Sequence, residues 1–271
     1  MELEEAHVVV TGGAAGIGAA AARAFAGAGA RGVVVADRDG AGAAATAREV
    51  GGLGVEVDLG SEAGVATLVT RAEAEYGPVD VFCSNAGIAG PYGGPEVSDE
   101  SWQLTWNVNV MAHIWAARLL LPGMLGRRHG HLSSTASAAG LLANPGLMPY
   151  SVTKHAAVAV AEWLAITYGG GSGVGFSCFC PQGVATPMLE TWRREDPSSR
   201  LASASGETIS AEQAAAALVA GIAADRFLIL SHPEVRTYQE RKVADPERWL
   251  AGMQRFQAEI DRARAEAESA G

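Results

Sequence analysis

Short apolar runs alternate with Ala-rich stretches of helical spacing along most of the chain. The apolar runs are hydrophobic on both faces, which is typical of parallel strands that helices cover on both sides. This alternation predicts a doubly wound α/β fold, with one parallel sheet of about seven strands and right-handed crossovers. The predicted strands are HVVVTG, GVVVAD, LGVEVD, VDVFCSN, GHLSST and GVGFSCFC, and the predicted helices lie at 17–29, 40–50, 61–76, 99–125 and 150–168.

Two segments interrupt the alternation. Residues 186–208 are a long polar insertion between a strand and a helix, and its length is typical of an active-site lid, which we assign to 187–208. The tail from His232 onward has helical spacing. No linker divides the chain, so we expect one domain, with an α/β unit at 1–231 and a C-terminal helical extension of the same domain at 232–271.

Composition and charge narrow the classes of function. The chain of 271 residues is 48% hydrophobic and 18% charged, with 34 glycines, which indicates a large core and many tight turns. The net charge of −10 argues against binding to nucleic acid or to anionic membranes. The sequence contains no unbroken run of about 18 apolar residues, so we expect no membrane span. The acidic start MELEEA is unlike a signal peptide, so we expect a cytoplasmic protein.

The residue types that bind metals or form disulfides show no suitable spacing. Cys83, Cys178 and Cys180 are an odd number without a Cys-x-x-Cys pair, which predicts reduced thiols in the core. The histidines are scattered along the chain, so we expect no metal site.

Glycines between the first strand and the first helix predict an anion site. In TGGAAGIG, the register T-G-x-x-x-G-x-G places Gly12 at the strand end and Gly16, Ile17 and Gly18 at the helix start. Free backbone N–H groups at that point favour a pyrophosphate. Asp37 ends the second strand 19 residues after Gly18, where a carboxylate can bind the adenosine ribose hydroxyls. The alternative is that Asp37 only caps the next helix.

Two further strand ends belong to the same crevice. Asp58 and Leu59 close the third strand, and Asn85, Ala86 and Gly87 close the fourth. In an open α/β sheet, ligands lie outside the carboxyl ends of the strands, so we expect all five residues to line a dinucleotide site. Asp58 can also be the N-cap of the helix that follows, a role compatible with an adenine contact.

In the stretch MPYSVTKHAAV, a phenol and an ammonium stand close together in a helix that is otherwise rich in Ala and Val. Tyr150 and Lys154 are four residues apart, so one helical turn brings both side chains to the same face. A tyrosine at the surface beside a solvated lysine would give the same pattern, so these two residues alone leave the question open.

Taken together, these motifs resemble the short-chain dehydrogenase/reductase family over residues 7–190. They occur in the family's order as TGGAAGIG, Asp37, NAG at 85–87, NVN at 107–109, a serine before the tyrosine, Tyr-x-x-x-Lys at 150–154 and PQGVATPM at 181–188. The resemblance implies a Rossmann-type domain that binds a nicotinamide dinucleotide and transfers hydride to or from an alcohol carbon.

The resemblance also implies a general acid/base on the Tyr150 helix. A phenol with a pKa of about 10 is a poor base at neutral pH. The Lys154 ammonium, together with the positive ring of oxidised cofactor, would lower that pKa. Lys154 would also hold the nicotinamide ribose. Family spacing selects Ser137, thirteen residues before the tyrosine, as the group that bonds the substrate oxygen, and leaves Ser133 and Ser134 structural.

Asn109 completes the implied catalytic set. An amide inside a helix is unfavourable by propensity, and the resemblance implies that it binds a water that carries protons to Lys154. The alternative is a buried amide that the backbone satisfies.

The loop after the sixth strand departs from the family pattern. Pro181-Gln182-Gly183 stands where the family usually has Pro-Gly, while Val184 and Thr186 keep the positions that would hold the nicotinamide carboxamide. The expected substrate pocket combines Ser137 and Gln182 with Asn144, Leu141, Leu142, Leu147, Met148, Met188 and Trp192.

We therefore expect an NAD-dependent secondary-alcohol dehydrogenase with a largely apolar substrate. NAD is expected rather than NADP because Asp37 would repel a 2′-phosphate. The alternatives are a non-catalytic dinucleotide-binding redox sensor, an NADP-dependent carbonyl reductase, and a nucleotide-sugar epimerase or dehydratase on the same fold. Apolar helix faces over 99–125 and 150–168 predict a homo-oligomer, a dimer or a tetramer.

Overall fold

A computed structural model describes residues 1–195 and 207–270. Seven parallel strands form one sheet in the order β3-β2-β1-β4-β5-β6-β7, which confirms the predicted doubly wound fold. Both neighbours of β1 run parallel to it, and the strand order reverses between β1 and β4. The strands are β1 His7–Thr11, β2 Gly32–Asp37, β3 Leu53–Glu56, β4 Val81–Ser84, β5 Gly130–Thr135, β6 Val174–Phe179 and β7 Leu228–Ile229.

Helices cover the sheet on both faces. Within the described residues they are α1 Gly16–Gly27, α2 Gly40–Glu49, α3 Glu62–Tyr76, α4 Asp99–Trp106, α5 Ala112–Arg127, α6 Ala139–Leu142, α7 Met148–Tyr168, α8 Pro187–Glu195, α9 Ala211–Ala223, α10 Glu234–Ala244 and α11 Pro246–Ala270. Ser61, Ser98 and Ser210 cap α3, α4 and α9 by accepting backbone N–H bonds. Such caps set the start of a helix because they satisfy N–H groups that have no partner within it.

The central strands pack on two separate hydrophobic layers. Val8 and Val10 face a layer that includes Phe25 of α1 and Leu218 of α9. Val9 lies between them in sequence but belongs to the opposite layer, with residues of α3 and α5. Side chains of a strand alternate between faces, so a continuous apolar run is what a sheet covered on both sides requires. The cysteines are buried and carry no disulfide, as predicted.

The helix predicted over 99–125 is continuous but not uniform. Between α4 and α5 the backbone forms a π-helical turn, Asn107–Met111. By length and composition the whole run Asp99–Arg127 could cross a membrane, because one 18-residue window has a mean hydropathy of 1.3. This corrects the sequence expectation, which counted unbroken apolar residues. More than half of that window, 56%, is buried, and a core helix has the same composition, so the run is weak evidence for a membrane span.

The C-terminal tail is helical and packs back onto the α/β unit. Lys242 of α10 donates a hydrogen bond to the Leu141 carbonyl of α6 at 2.8 Å. On α11, Ile260 is buried, and the Arg264 guanidinium carbon lies 3.4 Å from the ring centre of Tyr92. Of the predicted lid at 187–208, the first part is the helix α8, and residues 196–206 lie outside the described residues.

Candidate active site

One cavity of about 630 Å³ opens at the carboxyl ends of the strands. Its wall includes residues of the glycine loop, of the loops after β2, β4, β5 and β6, and of α7 and α8. The sequence-predicted residues that line it are Gly12, Gly16, Ile17, Gly18, Asp37, Asn85, Ala86, Gly87, Ser137, Leu142, Asn144, Leu147, Tyr150, Lys154, Pro181, Gln182, Gly183, Val184, Thr186, Met188 and Trp192. Residues that are distant in sequence therefore meet where the topology predicts.

Asp58 and Leu59 lie outside the wall of this cavity. Leu59 is buried against the layer of α3 and α5, and Asp58 is exposed, with its carboxylate accepting the Gly60 N–H at 2.9 Å. The N-cap alternative for Asp58 is wrong, because Ser61 caps α3. A contact of these residues with adenine stays a prediction. Leu141 and Met148, which we expected in the substrate pocket, do not line the cavity either.

Hydrogen bonds hold the glycine loop and the loop after β4 together. The Thr11 hydroxyl accepts the N–H groups of Asn85 and Ala86 at 2.9 and 3.0 Å, and the Asn85 amide donates back to the Thr11 carbonyl at 2.9 Å. A Cβ on Gly12 would come 2.8 Å from the Ala86 Cα, so this approach requires glycine. Ala15 precedes α1 without a side-chain cap, which leaves the first-turn N–H groups available to an anion beside the cavity.

Asp37 fixes the other side of the glycine loop. Its carboxylate accepts the N–H groups of Ala14 and Asp39, both at 3.1 Å, and it stays partly exposed in the cavity wall. The N-cap alternative for Asp37 is wrong because Asp39 caps α2. Arg38 is exposed.

Lys154 is buried at the base of the cavity. Its ammonium donates to the Thr135 carbonyl at 2.9 Å and lies 5.7 Å from the ring centre of Tyr150. Burial lowers the pKa of Lys154 to about 8, although the nearby Cys180 and Cys178 thiols act in the opposite direction. The group is thus poised to gain and lose a proton in the neutral to mildly alkaline range.

From the sequence we expected Lys154 and an oxidised cofactor to lower the pKa of Tyr150. In the protein without cofactor, this pKa is raised. Burial raises it, and the hydrogen bond with Ser137 opposes that rise only in part. The reason is geometric, because the Lys154 ammonium bonds a backbone carbonyl while the phenol loses solvent. Burial disfavours the charged phenolate.

Ser137 follows β5 and is held by the next turn. Its hydroxyl accepts the Ala139 N–H at 3.1 Å and donates to the Pro181 carbonyl at 3.5 Å. Ser133 and Ser134 lie within β5, as the spacing argument placed them. Ser137 is thus the serine of this group that lines the cavity beside Tyr150.

Asn109 sits behind the cavity in the π-helical turn and is fully buried. Its side-chain amide accepts the Ile88 N–H at 2.9 Å and donates to the Ile88 carbonyl and the Thr153 hydroxyl. These contacts fit the alternative of a buried amide whose hydrogen bonds are made mainly with the backbone. A Cβ on Gly87 would lie 3.1 Å from the Lys154 Nζ and 3.2 Å from the side-chain oxygen Oδ1 of Asn109. Glycine therefore keeps open a space that both polar groups border.

His232 supports the unusual Pro-Gln-Gly loop, a role that the scattered positions of the histidines in the sequence did not indicate. It is buried. Its Nδ1 accepts the Gln182 N–H at 3.3 Å, and its Nε2 is 3.1 Å from the Gly183 carbonyl and 3.2 Å from the Glu207 carbonyl. One neutral tautomer satisfies these contacts. A histidine just after a short strand and before a proline is the sequence feature that could have indicated this role.

The tail contributes part of the cavity wall that the motifs did not indicate. Side chains of α10 and α11 line it, namely Tyr238, Arg241, Trp249, Met253 and Phe256. Four of these five residues present aromatic or thioether groups, so this part of the wall is suited to an apolar molecule. No motif predicts them because the contact depends on how the tail folds back.

Comparison with known proteins gives a family match and similar sequences. The family model described as short chain dehydrogenase matches residues 6–197. The 1-deoxy-11-beta-hydroxypentalenate dehydrogenase of Streptomyces exfoliatus is 38% identical over 244 residues, which cover 87% of this chain and 86% of the relative. The estradiol 17-beta-dehydrogenase 11 of Homo sapiens is 30% identical over 217 residues, covering 78% of this chain and 69% of the relative.

Solved structures show the same fold. A short chain dehydrogenase/reductase from Burkholderia phymatum in complex with NAD has a TM-score of 0.83 at 30% identity, covering 91% of this chain and 96% of that one. The 3-ketoacyl-(acyl-carrier-protein) reductase of Brucella melitensis complexed with NADH has a TM-score of 0.74 at 28% identity, covering 84% and 98%. Both neighbours were solved with a nicotinamide dinucleotide.

Proposed function

The chain belongs to the short-chain dehydrogenase/reductase family, and we propose that it is an NAD-dependent dehydrogenase of a secondary alcohol, or reductase of the ketone. The observation that carries this proposal is one cavity whose wall combines the uncapped start of α1 and Asp37 with Ser137, Tyr150 and Lys154. A dinucleotide sensor needs only the first group of residues. The second group favours an enzyme.

The residues of the crevice fit a nicotinamide dinucleotide. The first-turn N–H groups of α1 suit a pyrophosphate, and the Asp37 carboxylate suits ribose hydroxyls. On the other side, Val184 and Thr186 would hold the carboxamide and Lys154 the nicotinamide ribose. When bound, the nicotinamide accepts or gives the hydride.

Tyr150 is the proposed proton carrier. In oxidation it takes the proton of the substrate hydroxyl, and in reduction it returns a proton to the carbonyl oxygen. Because burial raises its pKa in the free protein, its deprotonation depends on positive charge nearby, to which the Lys154 ammonium contributes. The Ser137 hydroxyl bonds the substrate oxygen throughout. A water in the space beside Gly87 would join Lys154 to Asn109.

Asp37 supports NAD over NADP. The 2′-phosphate of NADP would bring negative charge close to the Asp37 carboxylate. That carboxylate is held in place by hydrogen bonds from two backbone N–H groups. At about 4 Å and an effective dielectric near 20, each like-charge pair costs about 4 kcal/mol. Arg38 could pair with the phosphate, but it is exposed, and an exposed ion pair contributes only about 0–1 kcal/mol.

The substrate proposal is a largely apolar secondary alcohol. The wall near Tyr150 includes Leu142, Leu147 and Trp192, and the tail adds the aromatic side chains described above. Relatives are named for a hydroxypentalenate, for estradiol and for a hydroxysteroid, which supports an alcohol with an apolar body.

A substrate screen tests this function. The purified protein is incubated with NAD and a panel of terpenoid, steroid and aromatic secondary alcohols while NADH absorbance is followed. We expect NADH formation with at least one of them, and none from the Tyr150→Phe variant. A chain that binds NAD tightly but oxidises no alcohol and reduces no ketone would instead be a sensor.

We also propose how the protein assembles and where it is located. Apolar side chains are exposed on α7, where Trp163 is 58% and Ile166 77% exposed, and such a face suits a homo-oligomer interface. Light scattering at micromolar concentration should give a dimer or a tetramer, and a monomeric mass would contradict it. We also propose a cytoplasmic location.

A further inference from the structure

Two positive charges line the cavity wall, and one of them, Arg241, has neither an acidic partner nor a carbonyl acceptor in the described part of the chain. Three charged side chains line the cavity, namely Asp37, Lys154 and Arg241. Asp37 accepts backbone N–H bonds of the glycine loop, and Lys154 donates to a carbonyl. Arg241 forms none of the ion pairs among described residues, although the chain has 30 acidic residues against 20 Lys and Arg.

The local structure directs Arg241 and its neighbour to different places. Lys242 bonds the Leu141 carbonyl and fastens α10 to α6, whereas Arg241 contributes to the cavity wall. The Arg241 guanidinium carbon lies 6.0 Å from the ring centre of Tyr238. A basic residue near a helix C-terminus interacts favourably with the last carbonyls, but that effect applies equally to Lys242 and does not require a position in the wall.

Arg241 is exposed in the free protein, as Arg38 is, but Arg241 differs in having apolar side chains beside it that a bound ligand would cover together with the charge. The same part of the wall carries Trp249, Met253 and Phe256, so a ligand bound there would displace water from the charge and strengthen the interaction. A guanidinium is weakly hydrated and binds a carboxylate through two parallel hydrogen bonds.

We propose that Arg241 binds the carboxylate of an apolar hydroxy acid, or of the corresponding keto acid, whose hydroxyl or carbonyl lies at Ser137 and Tyr150. This inference rests on the proposed dehydrogenase function and specifies its substrate class. The apolar body of the acid occupies the aromatic part of the wall between the two polar ends. Binding at both ends fixes which carbon faces the cofactor.

A phosphate of the cofactor is the competing ligand for Arg241. The predicted cofactor contacts lie at the ends of β1, β2, β3, β4 and β6 and on α7, and the uncapped start of α1 already offers N–H groups to a pyrophosphate. Arg241 belongs to the tail, with the aromatic side chains that no dinucleotide motif includes. The experiment separates the two ligands by measuring both.

Binding of adamantane-1-carboxylate and of the neutral adamantane-1-carboxamide tests the proposal. Both probes are compact and apolar, and neither has a hydroxyl to oxidise, so binding is independent of turnover. With saturating NAD, titration is followed by calorimetry and by tryptophan fluorescence, since Trp192 and Trp249 line the cavity. The proteins are the wild type, Arg241→Leu, Arg241→Lys and Arg236→Leu. Arg236 is the matched control because it is exposed on the same helix and outside the wall.

We expect the wild type and Arg236→Leu to bind the carboxylate about tenfold or more tightly than the amide. Arg241→Leu should lose that preference with its affinity for NAD unchanged, and Arg241→Lys should keep part of it. Equal binding of the two probes by the wild type, no binding of either, or a loss of NAD affinity in Arg241→Leu would overturn the proposal. If Arg241-dependent binding is found but no alcohol is oxidised, the anion site stands and the dehydrogenase function fails.

Discussion

The two ends of the cavity are built in different ways. At the cofactor end, short loops after β1, β2 and β4 are bonded to one another through Thr11, Asn85 and Asp37, and the ligand would meet mainly backbone groups. At the substrate end, side chains of α8, α10 and α11 form the wall. A backbone cradle depends on strand topology and a few glycines, so it suits one shared ligand. A wall of side chains can be changed one residue at a time, so it suits specificity.

Replacement of Tyr150, where the two ends meet, should have the largest effect. Tyr150→Phe removes one hydroxyl from a half-buried ring, so the fold and the affinity for NAD should be kept. Turnover should fall by a factor on the order of 10²–10⁴, because proton transfer is lost. Stopped-flow NADH absorbance and NAD titration measure the two effects. A variant with more than about a tenth of wild-type activity would remove Tyr150 from the mechanism.

Asp37→Ala should change the cofactor end alone. We expect the wild type to prefer NAD by about a hundredfold in kcat/KM, because the carboxylate repels a 2′-phosphate. The variant should lose most of this preference, while KM for the alcohol changes little. The matched control is Asp39→Ala, which removes the N-cap of α2 instead. Equal use of both cofactors by the wild type would assign the selectivity to Arg38.

His232→Ala should affect both ends moderately, since His232 holds the loop that joins them. The substitution removes the imidazole that accepts the Gln182 N–H and contacts the Gly183 carbonyl, and we expect kcat/KM to fall by about tenfold, a barrier increase of about 1.4 kcal/mol. The exposed His129 provides the control. We expect His129→Ala to leave kcat/KM unchanged. Unchanged kinetics in His232→Ala would show that the loop keeps its shape without the imidazole.

The last prediction concerns stability rather than activity and is a pH dependence that comes from Lys154. Its pKa is lowered from 10.5 to about 8 in the folded protein, so between these values the unfolded chain binds more protons and stability rises with pH. The slope from this residue is at most about 1.4 kcal/mol per pH unit. The difference in unfolding free energy between the wild type and Lys154→Met, measured in urea, should therefore shift in favour of the wild type from pH 8 to 10. A difference independent of pH would mean that the folded pKa is not lowered.

The sequence by itself determined the sheet and the cofactor end of the cavity. Strands that are apolar on both faces are typical of a parallel sheet that helices cover on both sides. Parallel strands place their carboxyl ends at one edge of the sheet. The loops there are short, so TGGAAGIG, Asp37 and Asn85-Ala86-Gly87 had to meet. The four-residue spacing of Tyr150 and Lys154 fixed their shared helix face in the same way, because it depends only on local geometry.

Only the tertiary structure decided what depends on distant packing. Asp39 rather than Asp37 caps α2, and Ser61 rather than Asp58 caps α3; several residue types near a helix start can cap it, and the folded backbone determines which of them does. Burial set the direction of the Tyr150 pKa, and burial is a property of the folded molecule. The tail of 232–271 has an ordinary helical pattern, and its aromatic residues and Arg241 reach the cavity only because α10 and α11 pack back over α6 and Tyr92. Periodicity shows which face of a helix is apolar but not which surface will cover it.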